Sequence, residues 1–283
     1  MTTPSFNMGH HRLENRYRFC GHLELITPLR ISSGRADEAT DAPFIRTYDG
    51  TPYIPGSSLR GAMRSELERL LAGVGGGNGL RSCTLFSSEG QVEGQEDDCP
   101  EKFRKKMQDM DSESQEAKDK ATISFIQNEL CQVCRLFGAP MYASHLVIND
   151  ALPPCPDTAN TAQRLRLRDG VGIDRDTGAA KEGAKFDYEV METGPVFVLT
   201  IIAENLRGKN FILLDLALRL LKDGLYVGGK RSGGLGRIRL KPESLVVTGF
   251  SKPRDMCDRL RHGQEIYQPL DWPEVYRAET QTL

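Results

Sequence analysis

Along residues 17–31 apolar and polar side chains alternate, with Phe19, Leu23 and Leu25 on one face, the two-residue period of a half-buried strand. Pro28, which has no N–H to give to a ladder, disturbs the far end of that strand. A loop holding Gly34, Asp37, Glu38 and Asp41 follows, then Phe44-Ile45 and a turn at Asp49-Gly50. Pro55-Gly56-Ser57-Ser58 predicts a turn and an N-cap, opening a helix in which Leu59, Met63, Leu67 and Leu70 recur at spacings of four, four and three. The free N–H groups at its start predict an anion site. The pattern breaks over residues 73–130, glycine-rich at first, then acidic and poor in apolar residues until a short helical stretch before Cys131; an insertion over 73–135 is expected.

Periodicity returns at Leu136-Phe137. Residues 164–192 read as a long, charged β-hairpin with its turn near Asp176-Thr177-Gly178, and with so little core to bury it should project. Pro195 to Ile202 forms a strand, Phe211, Leu214, Leu218 and Leu221 mark an amphipathic helix, and Arg237-Ile238-Arg239-Leu240 begins a final strand. The order strand, helix, strands, helix, strand matches the split βαβ, ferredoxin-like α+β arrangement, which is also the RRM-like framework of RNA-recognition modules. The aromatic signature those modules carry on the sheet is absent, so base stacking there is not expected.

A chain of 283 residues can bury an ordinary core as one large domain or two small ones. The net charge of −2 argues against a uniformly basic nucleic-acid coat. The charge is segregated, however: Arg207 to Lys241 holds nine Lys/Arg against two Asp, whereas Glu89 to Asp119 holds eleven acids against five bases. A mildly acidic total can therefore hide a basic working face. No stretch approaches the ~18 apolar residues of a membrane span, and residues 1–16 are polar without a signal-peptide core, so no membrane partner and a cytoplasmic location are expected. Seven cysteines, an odd number, with Cys131 and Cys134 in C-x2-C spacing, speak against a secreted disulfide framework.

The densest chemistry lies in Gly224 to Arg237, a glycine-rich loop carrying Lys230, Arg231 and Arg237. Glycines let a backbone reach positive φ and approach a ligand closely, successive N–H groups make a concave anion site, and the cations add charge. Gly224 to Lys230 also fits G-x-x-x-x-G-K. A nucleotide P-loop is excluded because Arg231 stands where the metal-binding Ser/Thr belongs, and because the loop runs from helix to strand.

Four segments together resemble the RAMP superfamily: Tyr53 to Arg64, Cys134-Arg135-Leu136-Phe137-Gly138, Gly172 to Ala184, and Gly228 to Gly236. The likeness is to the backbone subunits of type III CRISPR effector complexes, the Csm and Cmr assemblies, and covers roughly residues 18–64 and 131–240. It implies a single domain over 1–283, with the insertion at 73–135, a thumb-like hairpin at 164–192 and a C-terminal extension at 248–283. It further implies copies or paralogues stacked along a guide RNA (crRNA), each gripping guide phosphates with its palm and inserting its thumb into the duplex with single-stranded target RNA. Ile173, Asp174 and Arg175 at the tip are then candidates for wedging a base pair, or for packing against the next subunit.

In such subunits an Asp after the first strand is needed for cutting target RNA, and Asp41 stands at that place, with Asp37 and Glu38 as rivals or metal partners. A carboxylate there can help deprotonate the attacking 2′-hydroxyl or hold Mg2+ or another divalent cation; Asp41 can also merely cap a turn. Arg60 and Arg64, one helical turn apart, are expected to meet guide phosphates, as are Lys230, Arg231 and Arg237 with the backbone of Gly228, Gly229, Ser232, Gly233 and Gly234. Cys131 and Cys134 make half of a structural Zn2+ site, with Cys83 and Cys99 supplying the rest; Cys20, Cys155, His22 and His145 are substitutes, and buried free thiols the plain alternative. Three functions remain open: a target-cutting endoribonuclease subunit, a non-cutting backbone paralogue, and a metal-independent guide-processing endoribonuclease using His10, His11 or His22.

Overall fold

The computed structural model describes residues 10–34, 36, 40–74, 80–83, 98–154 and 158–281. Strand β1 (Arg16–Leu25) leads to helix α1 (Gly56–Val74), and α2 (Cys99–Asp109), α3 (Gln115–Asn128) and α4 (Gln132–Phe137) precede β2 (Leu146–Ile148) and the short α5 (Thr158–Ala162). Strands β3 (Leu165–Ile173) and β4 (Ala180–Met191) pair only with each other as named strands. The chain continues through β5 (Val196–Glu204), α6 (Lys209–Asp223), β6 (Leu225–Tyr226), β7 (Arg237–Leu240), β8 (Val246–Phe250), α7 (Pro253–Arg261), β9 (Gln268–Pro269) and α8 (Trp272–Thr280).

The main sheet runs β2-β5-β1-β7-β6, every neighbour antiparallel. One edge of β1 pairs with β5 from Arg16 to Glu24; the other is shared, with β8 against Arg16–Cys20 and β7 against Leu23–Leu25. The alternation legible in the sequence sets the face: Tyr17, Phe19, Leu23 and Leu25 of β1 and Phe197, Leu199, Ile201 and Ala203 of β5 are buried. They share one core with Leu59, Met63 and Leu67 of α1 and Phe211, Leu214, Leu218 and Leu221 of α6, so both helices cover a single face of the sheet. β1 ends at Leu25, ahead of Pro28.

Three features go beyond the sequence reading. Residues 99–128 hold two helices, not one short stretch; their apolar residues are few, and they are defined by caps, Asp98 accepting from the Glu101 N–H at 2.7 Å and Ser114 from the Ala117 N–H at 3.3 Å. Helix α1 begins at Gly56, whose N–H bonds Asp150 Oδ1 at 2.8 Å. That N-terminus therefore already holds a carboxylate of its own chain, which corrects the expectation of an open anion site. Finally, the C-terminal segment completes the core: the Trp272 ring packs against Tyr17, Phe19 and Phe211 with centroids 5.8, 4.8 and 6.0 Å apart. Among the described residues no helix is long and apolar enough to cross a membrane.

Candidate functional site

Three chain segments meet where β1 gives way to the loop before α1. Leu29 and Met191 exchange both main-chain bonds at 2.8 Å, the Glu189 N–H donates to the Ala42 carbonyl at 3.0 Å, and the Gly229 and Gly236 N–H groups donate to the Arg30 and Pro28 carbonyls at 2.9 and 2.8 Å. The stem of the β3–β4 hairpin thus bonds this segment at Leu29 and Ala42, and the glycine-rich loop bonds it at Pro28 and Arg30. Glu189 fastens that segment further, accepting from the Phe44 N–H at 2.8 Å and from Arg46 at 2.7 Å.

Asp41 is exposed. It does not cap its own turn: its Oδ2 accepts the Asp187 N–H at 3.1 Å, while the Asp41 N–H donates to Asp187 Oδ1 at 2.9 Å. Thr40 adds its hydroxyl to the same Asp187 oxygen at 2.6 Å. That hydroxyl, followed by the Asp41 N–H, holds the Asp187 carboxyl below the usual carboxylate range, because both bonds are made to the charged form. Asp41 Oδ1 accepts no hydrogen bond among the described residues. The rivals Asp37 and Glu38 lie outside the described residues.

In the glycine-rich loop Lys230 adopts φ 57° and ψ 37°, a left-handed conformation that costs a non-glycine residue about 1–2 kcal/mol. There its ammonium lies 4.2 Å from the Phe186 ring centroid and 4.0 Å from that of Tyr188, on one face of the hairpin stem. Arg30 stacks on Tyr188 at 5.0 Å, and its buried Nε has no hydrogen-bond partner among the described residues. Arg30 was not among the sequence candidates; its one signal is Pro28, which ends the strand and leaves the following residues to a loop. No carboxylate pairs with Arg30, Lys230, Arg231 or Arg237 among the described residues, and the N–H groups of Lys230, Arg231 and Ser232 are likewise unbonded there. Among the described residues the Arg231 and Arg237 side chains bond only the Gly228 and Asp223 carbonyls, each at 3.2 Å.

Two of the loop's glycines are needed by the fold and not, as the sequence predicts, by a ligand. A Cβ on Gly228 would stand 2.1 Å from the Arg30 carbonyl oxygen, and one on Gly236 2.1 Å from that of Val227. Those two glycines give their bare backbone to neighbouring segments of the same chain, whereas Gly233 and Gly234 face open space.

The two α1 arginines are placed differently. Arg60 is half-buried and bonds the Phe137 carbonyl. Arg64 is 5% exposed, and its guanidinium is spent on Glu68 at 2.7 Å, the Gly138 carbonyl at 2.7 Å and Cys134 Sγ at 3.2 Å. The expected phosphate contact from Arg64 is therefore corrected: α4 lies against this face of α1 and takes the side chain inward.

Cys83, Cys99, Cys131 and Cys134 come together, their sulfurs all within 4.8 Å of one another, Cys83 half-buried and the other three buried. Cys83 Sγ lies 3.4 Å from Cys134 Sγ and 3.7 Å from Cys131 Sγ. A tetrahedron with metal–sulfur bonds of ~2.3 Å has sulfurs about 3.8 Å apart, so the donor set fits a thiolate-bound metal ion. Hydrogen bonding from Cys134 holds the Cys131 thiol below the ordinary cysteine range. At the hairpin tip Ile173 is 56% exposed, and Asp174 closes the turn by accepting from the Asp176 and Thr177 N–H groups, both at 3.0 Å. His10 stacks on His145 with ring centroids 5.3 Å apart, and burial lowers the His145 pKa; His22 lies on the polar face of β1.

The sequence profile of the RAMP superfamily matches residues 22–239. The chain is 22% identical over 269 residues to the CRISPR system Cms endoribonuclease Csm3 of Methanocaldococcus jannaschii, an alignment covering 89% of this chain and 91% of that protein. It is 26% identical over 250 residues to the protein of the same name from Enterococcus italicus, covering 83% and 95%.

Proposed function

The chain belongs to the RAMP superfamily, and from that premise we propose that it is a backbone subunit of a type III CRISPR effector complex that binds guide RNA and cleaves complementary target RNA. One observation carries the reading. Arg30 and Lys230 both lie over the Tyr188 ring, neither they nor the adjacent Arg231 has a carboxylate partner among the described residues, and Lys230 rests on Phe186 and Tyr188, which flank the Asp187 that holds Asp41. Lys230 of the phosphate grip and Asp41, the candidate cutting group, thus both contact one strand, β4.

In this reading the βαββαβ sheet is a ferredoxin-like palm. Lys230, Arg231, Arg237, Arg60 and Arg30, with the free N–H groups of the loop, hold guide phosphates. The 164–192 hairpin is the thumb, with Ile173, Asp174 and Arg175 at its tip. Residues 73–135 form the insertion and 248–283 an extension that closes the core. Such contacts to phosphate fix register and carry no sequence information, which the guide supplies by pairing.

Asp41 is the proposed cutting group. Its unengaged Oδ1 can accept the proton of the attacking 2′-hydroxyl, while the bonds to Asp187 keep the carboxylate oriented. The Asp41 carboxylate would also be a hard oxygen donor for Mg2+. When bound, such an ion would neutralise charge developing on the phosphate. Zn2+ is the proposed occupant of Cys83, Cys99, Cys131 and Cys134, where it would act structurally and contribute folding free energy to the segments that bring the cysteines together.

The test is purification of the protein with whatever accompanies it, sequencing of the bound RNA, and presentation of a complementary strand. Cleavage by the wild type, with Asp41→Ala retaining RNA but not cutting, supports the reading. Undiminished cutting by the variant removes Asp41, and an assembly free of nucleic acid removes the function.

A further inference from the structure

The four thiols are not equivalent in what surrounds them. The Cys131 N–H donates to Cys99 Sγ at 3.3 Å and the Cys134 N–H to Cys131 Sγ at 3.4 Å. Cys134 Sγ receives instead a guanidinium N–H from Arg64 at 3.2 Å. Among the described residues Cys83 Sγ receives no N–H donor.

Arg64 is an unusual group to find here. A guanidinium that is 5% exposed carries a desolvation cost of several kcal/mol unless each of its N–H groups is matched. Nε meets Glu68, Nη1 meets the Gly138 carbonyl and Nη2 meets the sulfur, a planar fork with three differently placed acceptors. Glu68 itself is held above the usual carboxylate range by burial, so keeping it charged depends on Arg64 beside it. A neutral thiol is a weak acceptor, whereas a thiolate accepts a charge-assisted bond.

We propose that Arg64 is the positioning residue of a four-thiolate metal centre, donating to the Cys134 thiolate in the metal-loaded protein and fastening α1 to that centre. This rests on the reading of the cluster as a metal site. Arg64 and Arg60 both end on carbonyls at the C-terminal end of α4, and the N-terminal end of the same helix carries Cys131 and Cys134. The cysteine cluster, α4 and α1 are thus joined, and Ala62, Glu66 and Arg69 of α1 line one pocket with Arg231 of the glycine-rich loop.

The experiment uses the full chain reconstituted with Zn2+ and, separately, with Co2+, whose thiolate-to-metal charge-transfer band reports the electron density on the sulfurs. Removing an N–H donor raises that density and moves the band to lower energy. Wild type is expected to take up one ion. Arg64→Met is expected to shift the band to lower energy and to weaken Zn2+ binding on the order of 10–100-fold in competition with a chelator. Arg64→Gln, which keeps an uncharged N–H donor and serves if the methionine variant does not fold, is expected to shift it less. A wild-type protein that takes no metal overturns both this inference and the metal reading. A loaded wild type whose band and affinity are matched by the folded variant overturns the role of Arg64 alone.

Discussion

Asp41 and Asp187 hold each other across 146 residues of chain, each carboxylate accepting the main-chain N–H of the other, at 3.1 and 2.9 Å. The pair ties the loop after β1 to β4, so the orientation of Asp41 depends on a residue that has no direct part in the proposed chemistry. Asp187→Ala is expected to lower target cleavage by up to about 100-fold, the scale of a ~1 Å misplacement of a reacting group, with RNA affinity unchanged. Single-turnover cleavage beside a binding titration measures both, and a parallel loss of the two would show that Asp187 serves the fold instead.

Arg30, Lys230 and Arg231 lack carboxylate partners among the described residues, whereas Arg104 is paired with Glu101 at 2.6 Å. Replacing any one of the first three by Ala is expected to reduce the slope of log affinity against log salt by about 0.7, the value for one phosphate contact on a single strand. Arg104→Ala should leave the slope where it is. Binding titrations across a range of salt concentrations decide between a phosphate grip and a solvated surface.

Trp272 lies beyond the span matched by the family profile, yet it packs on Tyr17, Phe19 and Phe211 and donates its indole N–H to Asp215 at 3.0 Å. Trp272→Ala is expected to cost about 3–5 kcal/mol of stability. Denaturant unfolding checks this, and a loss below about 1 kcal/mol would mean that the C-terminal helix adds little to the core.

Tyr17 is pushed up to about 12 from 10.0, chiefly by burial, which disfavours the phenolate. A neutral group whose pKa is raised by folding adds stability that is whole below its unfolded pKa of ~10 and is lost as the pH climbs through its folded value. The protein should therefore lose stability between pH 10 and about 12, and Tyr17→Phe should flatten that decline. Unfolding measured across that window, with phenolate absorbance followed in parallel, tests it.

The candidate site was legible where its signal was local. Lys230, Arg231 and their glycines stand together in the chain, and Cys131 and Cys134 lie one helical turn apart, so their grouping is a matter of spacing. Cys83 and Cys99 were assigned to the same cluster from the sequence, and the structure brings all four sulfurs within 4.8 Å of one another. Arg30, Asp187 and Glu189 were not legible. Apart from Pro28 before Arg30, nothing near them in the chain marks them, and each acquires its part from a segment more than a hundred residues away.

The sequence by itself determined the alternation of β1 and β5, the apolar stripes of α1 and α6, and thus which face of each element had to be buried, because backbone period and side-chain polarity act within a few residues. Only the tertiary structure decided what stands opposite each of them. It turned Arg64 from a phosphate toward a sulfur, set Gly228 against a carbonyl of its own chain, and joined Asp41 to Asp187. The reason is that a buried hydrogen bond or a close backbone approach is a property of two surfaces, and the second surface exists only once the sheet has assembled.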